Sequence, residues 1–379
     1  MKSCCHISSV HSAFDPRIFH KECVSLARAG YDVSVICQHD CDVTEQSVRI
    51  IHLGSTRSRV RRFLLLPWSI AVVALRENAD VYHLHDFELL PVGLFLKFVA
   101  RKCVVYDVHE DSPKTVLSRP WIPRWARETL SVLVGFTETR IARTFDCIVT
   151  ATPHLKGKFA ACRYVIDVRN YPRLVANKAP PREHSQPRQA TLVYVGSLEE
   201  VRGIREIIMA LGFLQPHHPV RLEIIGEFTE PRFEAEVTEL PEWDHVDHLG
   251  FQRHEAIPAR LAQAQVGLVC LHPLDRFRVS YPIKLFEYMA ARIPVVASDF
   301  PLWRSIVEEA DCGLLVDPLE PCAIAEAIRV LLDDPLSASA LGTNGRTLVE
   351  HKYNWESEEI KLLAAYERIL GASRPDAKH

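Results

Sequence analysis

Lys284 and Glu287 stand three residues apart in Pro282-Ile283-Lys284-Leu285-Phe286-Glu287-Tyr288-Met289-Ala290, so on a helix they share one face. Pro282 suits a first helical turn, where the N–H groups have no partners inside the helix. Free N–H groups, the positive end of the helix dipole and an amine together favour a phosphate. A carboxylate one turn further on can accept bonds from sugar hydroxyls. The stretch therefore predicts a nucleotide carrying a diphosphate, against the plainer alternative of a solvated Lys/Glu pair on a surface helix. A second cation strengthens the first reading. The apolar run Leu192-Val193-Tyr194-Val195 ends at Gly196-Ser197-Leu198-Glu199-Glu200-Val201-Arg202-Gly203. Gly196 permits a sharp turn, and Arg202 stands at the start of the next helix, placed to fork onto phosphate oxygens.

Three loops in the first half also end apolar runs in polar residues: Ser8-Ser9-Val10-His11, His83-Leu84-His85-Asp86 and Asp107-Val108-His109-Glu110. Two successive His-acid pairs fit buried histidines beside capping acids, or groups facing a ligand. They also fit metal ligation by His85, Asp86, His109 and Glu110, although the spacing fixes no metal site.

These loops need elements to hold them. Short β-branched runs alternate with helical periodicity almost throughout, the pattern of parallel sheets covered by helices. In the first half strands are expected over 4–8, 32–37, 47–52, 81–85, 103–108 and 147–151, and helices over 18–29, 67–77, 88–100 and 124–143. A proline-rich, weakly hydrophobic stretch over 177–189 reads as a linker or exposed loop. The pattern then restarts, with strands over 191–195, 221–225, 245–249, 266–271, 294–298 and 313–316. Helices are expected over 204–214, 255–263, 283–291, 322–333, 337–350 and 356–370. Two doubly wound units follow, and ligands of such sheets bind at the carboxyl ends of the strands.

Composition agrees with this picture. At 379 residues the chain exceeds one ordinary core, so two domains are expected. Hydrophobic residues at 47% and charged residues at 25% describe a globular protein, and a net charge of −3 gives no reason to expect nucleic acid. The eleven cysteines are scattered, without a Cys-x-x-Cys zinc pattern, which suits a reducing cytoplasm. The N-terminus reads as a strand rather than a signal peptide. The longest apolar run, from Phe63 to Leu75, is broken by Pro67 and Ser69 and falls short of the roughly 20 residues that span a bilayer. Arg57, Arg59, Arg61 and Arg62 precede it. From Arg57 to Leu75 the chain thus fits either a core helix with a basic entrance or peripheral contact with an anionic membrane.

The segment from Gly196 to Gly203, the Leu249-Gly250-Phe251 turn and the block from Lys284 to Ser298 resemble the donor domain of family-4 glycosyltransferases. His11-Ser12-Ala13-Phe14-Asp15-Pro16-Arg17, with Tyr106-Asp107-Val108-His109-Glu110, resembles a bacterial, surface-polysaccharide branch of that family. The resemblance covers nearly the whole chain, including the closing Tyr353-Asn354-Trp355. It implies an α/β GT-B fold of two Rossmann-like domains facing across a cleft. Their expected bounds are 1–172 on the acceptor side and 173–352 on the nucleotide-sugar side, with 353–379 returning to the first domain. It implies retaining transfer of a sugar from a UDP- or GDP-linked donor to a glycan, lipid-linked or small-molecule acceptor, with no metal and no cofactor beyond that co-substrate.

By the same resemblance, Gly196, Ser197, Arg202, Gly250, Phe251, Ser280, Lys284, Leu285 and Glu287 bind the donor. His109 faces the reacting sugar, and Arg202 and Lys284 complete the catalytic set. His11, Asp15, Arg17, His85, Asp86 and Glu110 shape the acceptor side. The family often pairs Glu287 with a glutamate eight residues earlier; Val279 stands there, which leaves the identity of the sugar open. The rivals are a silent nucleotide-sugar-binding subunit, a nucleotide-sugar epimerase and an NAD-dependent oxidoreductase. No Gly-x-Gly-x-x-Gly supports the last.

Overall fold

The computed structural model describes residues 1–53, 66–118, 122–174, 189–215 and 218–372. The chain divides into two compact units, one of Met1–Asn170 with Glu356–His379 and one of Tyr171–Trp355.

The first unit is built on an eight-stranded sheet. Its strands are β1 (Ser3–Ser12), β2 (Asp32–Gln38), β3 (Val43–Glu45), β4 (Val48–Leu53), β5 (Val81–Leu84), β6 (Cys103–Val108), β7 (Cys147–Thr150) and β8 (Val165–Asp167). The spatial order is β3-β4-β2-β1-β5-β6-β7-β8, and every pairing is parallel except β3 with β4. The central strands are buried on both faces, so they read as continuous apolar runs rather than alternating ones. The chain leaves β1 for one side of the sheet and returns at β5 to build the other. Their carboxyl ends therefore form the switch point, and His11, His85 and Asp86 emerge there.

The second unit has six parallel strands: β9 (Ala190–Val195), β10 (Val220–Ile225), β11 (Val246–His248), β12 (Val266–Val269), β13 (Val295–Ser298) and β14 (Gly313–Val316). Their order is β11-β10-β9-β12-β13-β14, with the switch point between β9 and β12. The Gly196–Gly203 turn follows β9, and the helix Ile283–Ala290 follows β12, so both predicted cationic motifs belong to this point. The α/β, doubly wound architecture expected from the periodicity is present in both units.

Several elements differ from expectation. The helix expected over 18–29 opens as one wide π turn, Ile18–Cys23, before regular helix Val24–Arg28. Asp15 drives this start: its Oδ1 accepts from the N–H groups of Arg17 (2.8 Å) and Ile18 (2.9 Å). The wide turn directs Lys21 and Glu22 inward, and both are buried. Helices Ser112–Ser118, Pro153–Lys158, Pro231–Thr238 and Pro301–Ala310 were not anticipated. From Glu356 onward the helix Trp355–Ala372 belongs to the first unit, where Tyr366 is buried against β1 and β5. The linker stretch from 177 to 188 and the arginines from 57 to 62 lie outside the described residues.

Candidate functional site

In the second unit, three glycines bring backbone together at the ends of β9, β10 and β12. Gly203 holds φ +72°, and a methyl group there would stand 1.8 Å from Cys270 O. Gly226 holds φ +153° and would strike Gly196 O at 2.0 Å. Neither position accepts a side chain. Gly226 N donates to Gly250 O (2.9 Å), so the Gly250–Phe251 turn joins the same end of the sheet, where Phe251 is 72% exposed.

Lys284 comes up beside this backbone from the first turn of Ile283–Ala290. Its side chain is buried, and Nζ has no hydrogen-bond partner. It lies 3.6 Å from the centroid of the Tyr194 ring and 3.2 Å from the place a Gly196 Cβ would occupy. Burial holds its pKa well below the usual lysine range, and the Arg202 charge pushes it the same way, against Glu287. Arg202 is ion-paired with Glu199 (3.5 Å), and its buried Nε makes no hydrogen bond. Two basic side chains held together with donors that make no hydrogen bond are an arrangement that suits an anion.

The structure thus brings Gly196, Arg202 and Lys284 together, with Glu287 half-buried one turn beyond. Three other expected donor residues are engaged in local contacts. Leu285 is a core residue whose N–H is bonded to Pro282 O (3.0 Å), so it offers no group to a ligand. The Ser280 hydroxyl donates to Phe277 O (3.0 Å), closing a local turn, while the Ser197 carbonyl accepts from the Tyr194 hydroxyl (3.1 Å). Sequence reasoning missed Tyr194, Glu199 and Tyr288, whose hydroxyl accepts the Val195 N–H at 3.0 Å. Tyr288 follows Lys284 by four residues, a helical spacing that could have signalled it.

The first unit holds a polar network. Asp107 is its hub: it takes a two-pronged bond from Arg17 (3.0 and 2.9 Å) and lies 2.9 Å from His109 Nε2. Although burial works against its charge, Arg17 and His109 hold the Asp107 carboxyl well below the usual range. Asp107 thus orients the His109 ring through its Nε2. His11 contacts Asp15 (3.2 Å) and Asp86 (3.5 Å), and its ring is 4.9 Å from that of His109. Burial would lower the His11 pKa, but the Asp15 hydrogen bond and the Asp86, Asp15 and Asp107 charges raise it. Asp86 is fixed by Ser8 Oγ (2.8 Å) and Ser9 N (2.6 Å).

Three acceptor-side expectations need correction. Arg17 is buried and spends its guanidinium on Asp107, Glu22 and Val168 O, so it is part of the framework. His85 is buried between His6 and His109 rather than turned toward a ligand. Glu110 is exposed and accepts from Thr115 Oγ1 (3.1 Å), a local contact five residues along the chain. Asp107, His6, His83, Glu22 and Tyr366 were not among the expected site residues. Asp107 stands in the polar stretch Asp107-Val108-His109-Glu110, but its role rests on Arg17, 90 residues away, which no local pattern shows.

Comparison with known proteins completes the assignment. Residues 17–171 match the model of the glycosyl transferase 4-like domain, and residues 176–348 match that of glycosyl transferases group 1. A phosphatidyl-myo-inositol mannosyltransferase of Mycobacterium leprae (strain TN) is 24% identical over 319 residues, covering 83% of this chain and 78% of its own. Sucrose-phosphate synthase from Thermosynechococcus elongatus shares the fold with a TM-score of 0.78 at 20% identity, covering 98% of this chain and 100% of its own. Anabaena HepE, solved with UDP-glucose, gives a TM-score of 0.71 at 16% identity over 97% of this chain and 100% of its own. Two doubly wound units, an anion-ready turn in the second and both domain models matched in order leave one conclusion: the chain belongs to the family-4 glycosyltransferases of GT-B fold.

Proposed function

We propose that this glycosyltransferase moves a sugar, with retention of configuration, from a UDP- or GDP-linked donor to a glycan, lipid-linked or small-molecule acceptor in bacterial surface-polysaccharide synthesis. The observation that carries the reading is the buried, unpartnered Lys284 amine beside Arg202 at the β9/β12 switch point. Such a pair is complementary to a diphosphate. The names of relatives support the donor class: the mycobacterial one is a mannosyltransferase, and HepE was solved with UDP-glucose. Glu287 is assigned to the ribose hydroxyls, Phe251 to the base and His109 to the transferred sugar. His11, Asp15 and Asp86 are assigned to the acceptor.

In the reaction the bond from the anomeric carbon to the diphosphate oxygen breaks, and negative charge grows on the leaving group. Arg202, Lys284 and the free N–H groups of the helix stabilise that charge more than they stabilise the ground state. The acceptor oxygen attacks from the same face, and the departing phosphate takes its proton. Nothing in this sequence of steps requires a metal. A screen of nucleotide sugars reading released nucleoside diphosphate tests the proposal; release from none, with no thermal shift by UDP or GDP, rejects it. His109→Ala is expected to slow transfer by about tenfold to a hundredfold, the worth of a hydrogen bond of about 1.5–3 kcal/mol. Nucleotide affinity should stay nearly unchanged, and an undiminished rate removes His109 from the reacting sugar.

One observation favours membrane contact as well. Helix Leu66–Glu77 buries Ile70 and Ala74 but exposes Trp68 (71%), Val72 and Leu75, an apolar stripe with an aromatic anchor. Among the described residues no helix is long and apolar enough to cross a membrane, so contact would be at the interface. Flotation with anionic vesicles should carry the protein upward and fail for Trp68→Glu; a protein that stays in the dense fraction rejects the contact.

A further inference from the structure

β1 and β5 pair in parallel with His6 directly opposite His83. His85 follows two residues after His83 and so returns to the same face. The wide π turn brings Glu22 to this face. Each of the four offers one ligand-type atom, and these atoms lie within 4.8 Å of one another. All four side chains are buried.

The hydrogen bonding is complete on the outside of this group and incomplete inside it. His83 Nδ1 is 2.9 Å from the Tyr366 hydroxyl, yet His83 Nε2 has no partner. His6 Nε2 is 3.3 Å from the same hydroxyl, and His6 Nδ1 faces His85 Nε2 at 2.9 Å. His85 Nδ1 lies 3.5 Å from Asp107. Glu22 Oε2 is turned toward His6 (4.0 Å) and Oε1 toward Arg17 (3.0 Å), but neither oxygen receives a hydrogen bond. A buried imidazole nitrogen without a hydrogen bond is costly, and beside it stands a buried carboxyl group that is ion-paired with Arg17 but accepts no hydrogen bond. Outer nitrogens anchored on a tyrosine and a carboxylate are the usual second shell of metal-bound histidines.

We propose that His6, Glu22, His83 and His85 bind one structural Zn²⁺ in the first unit. Three imidazole nitrogens and one carboxylate oxygen suit zinc among the divalent ions, and four protein ligands leave no coordination position for substrate. Zinc bonds of about 2.0–2.1 Å set ligand atoms about 3.3 Å apart in a tetrahedron. Binding therefore draws the four atoms in and opens the His6–His85 contact. The ion ties β1, β5 and the wide turn together, and through Tyr366 it secures the C-terminal helix. A second set, His85, Asp107 and His109, shares one member, but its Asp107 is spent on Arg17.

The test uses the full chain, purified without chelator or histidine tag. Mass spectrometry should find about one zinc per chain, and stripping with phenanthroline should lower Tm until added Zn²⁺ restores it. His83→Gln and Glu22→Gln should each retain at least about tenfold less zinc after gel filtration, as loss of a ligand or its supporting shell commonly costs 10–100-fold in affinity. Should these variants not fold, Co²⁺ exchanged into the wild-type chain decides, because four-coordinate N₃O ligation gives strong visible d–d bands. Absence of retained metal with no Tm response to Zn²⁺ overturns the proposal. So do folded variants that keep wild-type zinc content, which would place the ion on exposed histidines, and a Co²⁺ spectrum showing only hydrated ion.

Discussion

Lys284→Met is expected to lower the transfer rate by about 10²–10³-fold while raising the Tm of the ligand-free protein. The first effect follows from removing one preorganised donor to a developing anion, worth about 2.7–4 kcal/mol of barrier. The second follows from the state of the amine without ligand. It is buried, makes no hydrogen bond and is crowded by the Arg202 charge. Methionine keeps the volume and the contact with Tyr194 while removing that penalty. The pH dependence has a definite sign. The folded pKa of Lys284 lies below its unfolded value near 10.4, so the unfolded chain binds more protons between the two. The penalty is present at neutral pH and fades as pH rises toward about 10.4. A bound diphosphate raises the pKa again, so nucleotide binding takes up protons at pH values between the ligand-free and ligand-bound pKa of Lys284. Calorimetry in buffers of different ionisation enthalpy should detect this uptake in the wild type and not in Lys284→Met. A variant with unchanged rate, or one that loses both rate and Tm, contradicts the assignment of Lys284 to the diphosphate.

The doubly wound architecture was readable in the sequence because central parallel strands must be apolar on both faces, and runs such as Cys103–Val108 have no other home. Most missed helices, Pro153–Lys158, Pro231–Thr238 and Pro301–Ala310, begin with proline, the residue that marks a first turn. Strands β3 and β8 have three residues each, too few to show a period. The donor-side cations were legible because Arg202 and Lys284 each sit in a local motif. The histidine network was not. His83 and Tyr366 are 283 residues apart, and only the return of the last helix unites them. Leu285 and Arg17 were misplaced for a related reason: a motif names the residues near a site, but burial decides which of them face it.

Arg17 therefore carries a stability prediction rather than a binding one. Its guanidinium forms two parallel bonds to Asp107 and a third to Val168 O, all of them buried. Two charges removed from water stabilise a fold only while they remain paired. Arg17→Met should destabilise the first unit by about 3–5 kcal/mol, because Asp107 is then left charged in the interior. Adding Asp107→Asn removes that charge and should recover part of the loss, making the double variant more stable than Arg17→Met alone. Urea unfolding of the full chain, followed at wavelengths that resolve the two units, measures both changes. Nucleotide affinity should be the same in all folded variants, since the diphosphate site belongs to the other unit. A single change costing less than about 1 kcal/mol, or a double variant weaker than the single, would mean that Arg17 is not neutralising the Asp107 carboxylate and is free for the acceptor after all.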